Sequence, residues 1–256
     1  MPGFQLTYST MFAAPPELHE LFDRALVRVG KAQGREHGLF IGGCDVFTER
    51  KFLKRSPIDQ RRFLGEFQVA GAAEVDRAMR SASDAFKSWR STPWSDRAAL
   101  LRKAARLIEE RVYDIAAATA LEVGKNRMEA LGEIQEAADF FTIYADQMEQ
   151  GGGFVRALPD DPIAGSPSHN RSVLKPYGVW VVIAPFNFPF ALAAGPVAAA
   201  LVAGNTVVLK GAEETPWAGR MLAECLRDSA FPAGVFNYFN GTGEEAGELL
   251  IQHALT

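Results

Sequence analysis

The sequence predicts an α/β fold built on a parallel sheet, and three observations carry that prediction. From about residue 177, short β-branched or aromatic runs (VWVVIA, TVVLK, VFNYF) alternate with an alanine-rich stretch ending at Val202 and a mixed stretch from Pro216 to Arg227. Strand, helix, strand, helix, strand is the pattern of a parallel sheet with crossover helices. Upstream, residues 74–148 carry apolar side chains at spacings of three and four, which predicts a layer of amphipathic helices. Hydrophobic residues make up 48% and charged residues 23% of the 256, a balance that suits a folded chain large enough to bury a core.

The elements follow in order. Pro16 to Gln33 is charged, leucine-containing and amphipathic, and GLFIGGCDVF then reads as a short strand punctuated by glycines. Val75, Met79, Ala82, Phe86 and Trp89 form one helical stripe. Ser95 and Asp96 are candidate caps for the next helix, whose face holds Leu100, Leu101, Ala104, Leu107 and Ile108. A third helix stops at Gly124, and a fourth runs from about Met128 to Met148. Gly151, Gly152 and Gly153 break it, and residues 154–178 read as two short strands around a Pro/Gly/Ser loop, a β-hairpin arm. Within the alternating part, Thr215 is a candidate N-cap, with Pro216 in the first helical position.

Composition excludes several functions. With 27 basic and 31 acidic side chains the formal charge is −4, and no basic run marks a surface for nucleic acid. The two cysteines, Cys44 and Cys225, have neither disulfide-framework nor zinc-site spacing, so a reducing, cytoplasmic setting and no metal are expected. The opening residues lack the basic and apolar regions of an export signal. Val179 to Ala203 is apolar enough to mimic a membrane span, but Pro185, Pro189 and Pro196 interrupt it, and it reads instead as strand, turn and helix.

The glycines Gly241, Gly243 and Gly247 do not make a dinucleotide fingerprint and, taken alone, mark a turn. Three longer motifs are more telling: IAPFNFP at residues 183–189, GNTVVLKGAEETP at 204–216 and FPAGVFN at 231–237. In order and spacing they resemble the signatures of the aldehyde dehydrogenase superfamily, and Glu122-Val123-Gly124-Lys125-Asn126 resembles its 1-pyrroline-5-carboxylate (glutamate semialdehyde) dehydrogenase branch. Phe186 stands where the family usually has tryptophan. Gly211 stands where it usually has proline, adding backbone freedom to a cofactor loop.

The resemblance implies a Rossmann-like NAD-binding domain of the aldehyde dehydrogenase fold, incomplete in this chain. Residues 1–150 would be its N-terminal helical part, 151–176 a β-hairpin oligomerisation arm joining copies of the chain, and 177–256 the βαβαβ cofactor-binding part. The expected reaction is NAD-dependent oxidation of a small aldehyde, L-glutamate γ-semialdehyde, to L-glutamate in proline degradation. The competing reading is a noncatalytic NAD-binding or interaction module.

By the same resemblance Asn187, at a strand's carboxyl end where open α/β sheets place ligands, donates to the oxyanion formed from the aldehyde. An asparagine filling a turn between prolines is the alternative. Lys210 and Glu213 are assigned to the adenosine ribose hydroxyls, and a carboxylate there would repel a 2′-phosphate, favouring NAD over NADP. Their plain alternatives are an exposed strand-end lysine and a first-turn glutamate. Ile183, Ala184, Pro185 and Phe186 would approach the cofactor by backbone and ring surface, and Gly243 would let its adenine side lie close. Glu136 is a candidate for facing a substrate ammonium, against the reading of a solvated helix face. Cys225 falls on an apolar helix face and Cys44 in a peripheral strand, so neither is the nucleophile. The family's cysteine, its water-activating glutamate and its pyrophosphate-contacting turn are expected beyond Thr256. A sheet ending there is expected to leave an unpaired edge and to associate.

Overall fold

The computed structural model describes residues 14–256 apart from Ala164 and Ser166. The reading of the N-terminal residues as lacking an export signal falls mainly on residues 1–13, outside the described residues. After α1 (Pro16–Ala32) come five short strands, β1 (Arg35–His37), β2 (Leu39–Ile41), β3 (Cys44–Val46), β4 (Lys51–Arg55) and β5 (Phe63–Gln68). Four helices follow: α2 (Ala72–Trp89), α3 (Trp94–Glu110), α4 (Val112–Val123) and α5 (Arg127–Gln150). The chain continues through β6 (Val155–Ala157), β7 (Arg171–Val173), β8 (Val179–Ile183), α6 (Ala191–Val202), β9 (Thr206–Gly211), α7 (Pro216–Asp228), β10 (Phe236–Asn240) and α8 (Glu248–Ile251).

The main sheet has the order β3-β2-β10-β9-β8. β8, β9 and β10 are parallel, as the alternating pattern predicts, and β2 adds antiparallel to β10 through Tyr238 opposite Phe40. β9 is buried along its whole length and its residues alternate between two cores. Val207 and Leu209 join the larger core with α3 to α7, whereas Val208 meets Val75, Met79 and Ala82 of α2. Period-two alternation in a strand covered on both sides accounts for this division.

The first 150 residues are therefore not only a helical layer. β2 and β3 form a hairpin in the main sheet, and β1, β5 and β4 make a separate three-stranded sheet. These strands are three to six residues long and carry charges such as Lys51, Lys54 and Arg55, so they give little periodic signal. Of the expected caps, that of α3 is corrected. α3 starts at Trp94 behind Pro93, which places Ser95 and Asp96 inside its first turn. Thr215 does occupy the N-cap of α7, but its hydroxyl makes no capping bond. Phe86, expected on the buried stripe of α2, is only half-buried.

Other motif residues have plain structural work. Gly124 ends α4 with φ 89°, and Asn126 caps α5 by accepting from the amides of Met128 and Glu129. The Asn205 side-chain oxygen accepts from the Tyr177 and Gly178 amides, which fixes the entry to β8. Asn237 accepts from the Gly42 amide and so ties β10 to the turn between β2 and β3. Gly234 has φ 82°, and a Cβ there would stand 2.7 Å from the Ser81 carbonyl oxygen.

β6 and β7 pair antiparallel as the expected arm. It exposes apolar side chains, among them Leu158, Ile163 and Leu174. β8 lies at one end of the sheet, with Trp180 and Ile183 about half exposed. Among the described residues, no helix is long and apolar enough to cross a membrane, and Val179 to Ala203 is the strand, turn and helix expected.

Candidate functional site

Parallel strands place their carboxyl ends, and the loops leaving them, at one end of the sheet. Ile183, the last residue of β8, pairs with Lys210 of β9, and Lys210 pairs on its other side with Phe239 of β10. This row brings together three loops: residues 184–190 with Asn187, residues 212–215 with Glu213, and residues 241–247 with Gly243.

After β8 the Ala184 amide still donates to the Lys210 carbonyl oxygen at 3.0 Å, so the chain leaves the sheet only at Pro185. Pro185, Phe186 and Asn187 are exposed, while Pro189 and Phe190 are buried. The turn thus presents its middle and anchors its far end. Phe190 and Ala191 open α6, and their amides donate to Glu133 Oε1 of α5 at 2.8 and 3.3 Å. Glu133 Oε2 accepts from Lys125 Nζ at 2.7 Å, and that ammonium lies 3.2 Å from the Phe188 ring centroid.

Lys210 is not an exposed strand-end lysine, because only 4% of it is accessible. Its Nζ donates to the neighbouring Gly211 carbonyl oxygen at 3.1 Å. Burial holds its ammonium below the ordinary lysine range, against the raising influence of Glu213 and Glu214. Glu213 is exposed beside α7. The lysine stem lies alongside the third loop, since a Cβ on Gly247 would stand 3.9 Å from Lys210 Cδ and Cε. At Gly243 a Cβ would meet nothing within 4 Å.

Residues 47–256 match the aldehyde dehydrogenase family. The chain belongs to that family. Among its relatives, 1-pyrroline-5-carboxylate dehydrogenase of Geobacillus thermodenitrificans is 39% identical over 238 residues, covering 93% of this chain and 45% of the relative. 1-Pyrroline-5-carboxylate dehydrogenase 2 of Bacillus subtilis is 37% identical over 237 residues, with the same coverage. The fold is similar to that of a crystallised Thermus 1-pyrroline-5-carboxylate dehydrogenase with bound NAD, with TM-score 0.88, 34% identity, and coverage of 99% of this chain and 48% of that one. An NADP-dependent glyceraldehyde-3-phosphate dehydrogenase from Bacillus halodurans, complexed with NADP, aligns with TM-score 0.79 and 32% identity over 86% of this chain and 46% of that one. The chain spans about half the length of the relatives it matches.

Against this aldehyde dehydrogenase frame, the visible cysteines are poorly placed for chemistry. Cys225 is fully buried on α7, and burial pushes its thiol up to about 12 despite Arg111 Nη1 at 3.9 Å. Cys44 is exposed on β3, four strands across the sheet from β8 and so about 19 Å from its line. Glu136 is exposed on α5, whereas Glu133, one turn earlier, is buried and bonded to the Asn187 turn.

Gly211 is not a free loop residue. It ends β9 in full burial, where a Cβ would stand 3.0 Å from Tyr238 Cε2. The Tyr238 hydroxyl lies 2.6 Å from the Pro216 carbonyl oxygen and the same distance from Asn240 Oδ1. The ring therefore occupies the space a proline would need.

Sequence reasoning missed Glu122 and Glu133. Glu122 is 1% exposed on α4 and accepts from the Trp217 and Ala218 amides at 2.7 and 2.8 Å, which caps α7. A signal existed for each. Glu122 directly follows the buried run Ile115 to Leu121 near the end of α4, and Glu133 falls between Ala130 and Ala137 on the buried stripe of α5. A carboxylate in such a position requires partners.

Proposed function

We propose that this chain is the cofactor-binding half of an NAD-dependent aldehyde dehydrogenase that oxidises L-glutamate γ-semialdehyde, from 1-pyrroline-5-carboxylate, to L-glutamate. The observation that carries the reading is the row Ile183, Lys210 and Phe239, which gathers the loops of two family motifs, those with Asn187 and Glu213, and the Gly241 to Gly247 turn at one end of the parallel sheet. Curated 1-pyrroline-5-carboxylate dehydrogenases that align with 93% of the chain support the substrate.

The residues present fit the cofactor. A buried ammonium that bonds only an adjacent carbonyl has donors to spare for a ribose hydroxyl, and Glu213 beside it offers an acceptor. Space over Gly243 accommodates the adenine side, while Ile183, Ala184, Pro185 and Phe186 present backbone and ring surface. When bound, NAD supplies the hydride acceptor for the oxidation. Glu213 disfavours a 2′-phosphate by like-charge repulsion and selects NAD over NADP.

Asn187 is the catalytic donor. Its exposed amide hydrogen-bonds the aldehyde oxygen as negative charge develops there, and a preorganised donor of this kind is worth about 3 to 4 kcal/mol. Glu136 faces the substrate ammonium. The nucleophilic cysteine and the group that activates the hydrolytic water belong to the remainder of the protein, and neither Cys44 nor Cys225 takes that part. The 151–176 arm joins copies of the protein by strand pairing and its exposed apolar side chains.

The test is to assay a full-length protein containing this chain with 1-pyrroline-5-carboxylate and NAD, following NADH and glutamate. Equal amounts of both support the reading. NAD binding with no turnover of any aldehyde would identify a noncatalytic module.

A further inference from the structure

We propose that the corner joining α4 to α5 is a single positioning device, through which Glu133 with Lys125 sets the Asn187 turn and Glu122 sets the Glu213 loop. It deepens the function proposed above and rests on that reading of Asn187 and Glu213.

Each crossover helix starts immediately after a site loop, and a helix start leaves amide groups without intrahelical partners. Short-range caps are the usual remedy, yet neither helix has one: Phe190 and Thr215, the N-cap residues of α6 and α7, make no side-chain capping bond. Carboxylates carried on neighbouring elements of the same corner take their place. Glu133 receives the first amides of α6, and Glu122 receives the Trp217 and Ala218 amides of α7. Both lie in the buried interior, at 2% and 1% exposure, where a hydrogen bond is stronger and leaving it unmade costs more than at the surface.

Lys125 completes the first clamp. Its side chain is 9% exposed, it bonds Glu133, and its ammonium covers the Phe188 ring, the residue after Asn187. The turn is therefore held on both sides of Asn187: β8 fixes the chain as far as Ala184, and Lys125 and Glu133 fix it from Phe188 to Ala191. The intervening residues, Pro185 to Asn187, have no burial of their own to hold them. An oxyanion donor must be aimed before charge develops, and an error near 1 Å costs about a hundredfold in rate. α4 and α5 meet at Gly124 to Asn126, so one rigid corner references both loops to each other.

The experiment uses the full-length protein. Glu133→Gln and Lys125→Met should each lower kcat about tenfold or more, with NAD affinity within about twofold of the parent. Glu122→Gln should do the reverse, weakening NAD several-fold by titration while kcat is largely retained. In an Asn187→Ala background, Glu133→Gln should cause little further loss of kcat, because its effect passes through the asparagine. Hydrogen exchange should rise at the Phe190 and Ala191 amides in the Glu133 variant, and at Trp217 and Ala218 in the Glu122 variant. Glu133→Asp, which keeps a carboxylate, should recover part of the lost kcat and serves with Lys125→Met if Glu133→Gln does not fold. An equal, additive loss in every background would mean general destabilisation and overturn the proposal. Unchanged kcat in Glu133→Gln and Lys125→Met while Asn187→Ala is inactive would also overturn it, leaving the assigned function intact. Full turnover in Asn187→Ala would instead remove the functional reading beneath it.

Discussion

The carboxylate of Glu122 accepts the backbone amide of Trp217 at 2.7 Å, joining residues 95 positions apart across two buried helices. Burial is the largest influence on this carboxyl and raises it to about 8, against the lowering effect of the two amide bonds and of Lys54, with Glu133 raising it further. A carboxyl raised on folding makes the folded state bind more protons than the unfolded one. Its contribution to stability is full below about 4.5 and is lost as pH rises towards about 8. The full-length protein should therefore lose stability relative to Glu122→Gln across that window, read as the denaturation midpoint of each at several pH values. Curves that run parallel would refute the assignment.

At pH 5 to 6, Glu122→Gln itself should be destabilised by about 1 to 3 kcal/mol, because an amide NH2 cannot accept and leaves one buried backbone N–H without its partner. Denaturant unfolding measures this, and a loss below about 0.5 kcal/mol would show that water replaces the carboxylate.

Much of the part that carries the site is legible in the sequence. The strands β9 and β10 announce themselves because burial on both faces demands the apolar runs TVVLK and FNYF, and β8 does so by its β-branched run VWVVI although it lies at the end of the sheet. Gly124 and Pro216 mark helix ends through local backbone chemistry, and local chemistry is what a sequence displays. β1 and β4 are largely exposed, and β5 buries neighbouring residues, Leu64 with Gly65 and Phe67 with Gln68, so their few residues carry little apolar alternation. The antiparallel return of β2 onto β10 depends on Tyr238 meeting Phe40, a long-range pairing that no local pattern records. The spacing on α5 also does not tell apart two glutamates one turn apart: Glu136 is exposed and Glu133 is buried.

Replacing Gly219 with alanine should destabilise the protein by about 1 to 3 kcal/mol. A Cβ at Gly219 would stand 2.6 Å from Tyr238 Cε2, and the ring cannot withdraw because its hydroxyl is bonded beside Pro216 and Asn240. The helix-propensity gain of alanine, about 1 kcal/mol, opposes this and is too small to reverse it. A denaturation midpoint equal to or above the parent's would show that α7 shifts freely.

Asn187→Ala in the full-length protein should lower kcat by about 10² to 10³ while leaving NAD affinity nearly unchanged, since the role proposed for the amide is at the aldehyde oxygen. Steady-state kinetics with parallel NAD titration separates the two quantities. A loss confined to NAD binding would move Asn187 from the reaction to the cofactor.

Glu213→Ala should narrow the preference for NAD over NADP, chiefly by improving NADP, because the substitution removes a negative charge from the proposed ribose position. Comparing kcat/KM for the two cofactors checks it. An unchanged ratio would place the ribose elsewhere.

Gly42 and Asn237 share a hydrogen bond across 195 residues, where the β2–β3 hairpin closes onto β10. During synthesis, that hairpin emerges from the ribosome long before the strand it will pair with. At about 5 to 20 residues per second the wait is about 10 to 40 s. Throughout it, Leu39 and Ile41, wholly buried in the finished sheet, have no native β10 to meet. The nascent chain thus carries an adhesive ribbon until β10 emerges, and chaperone demand should concentrate in that interval.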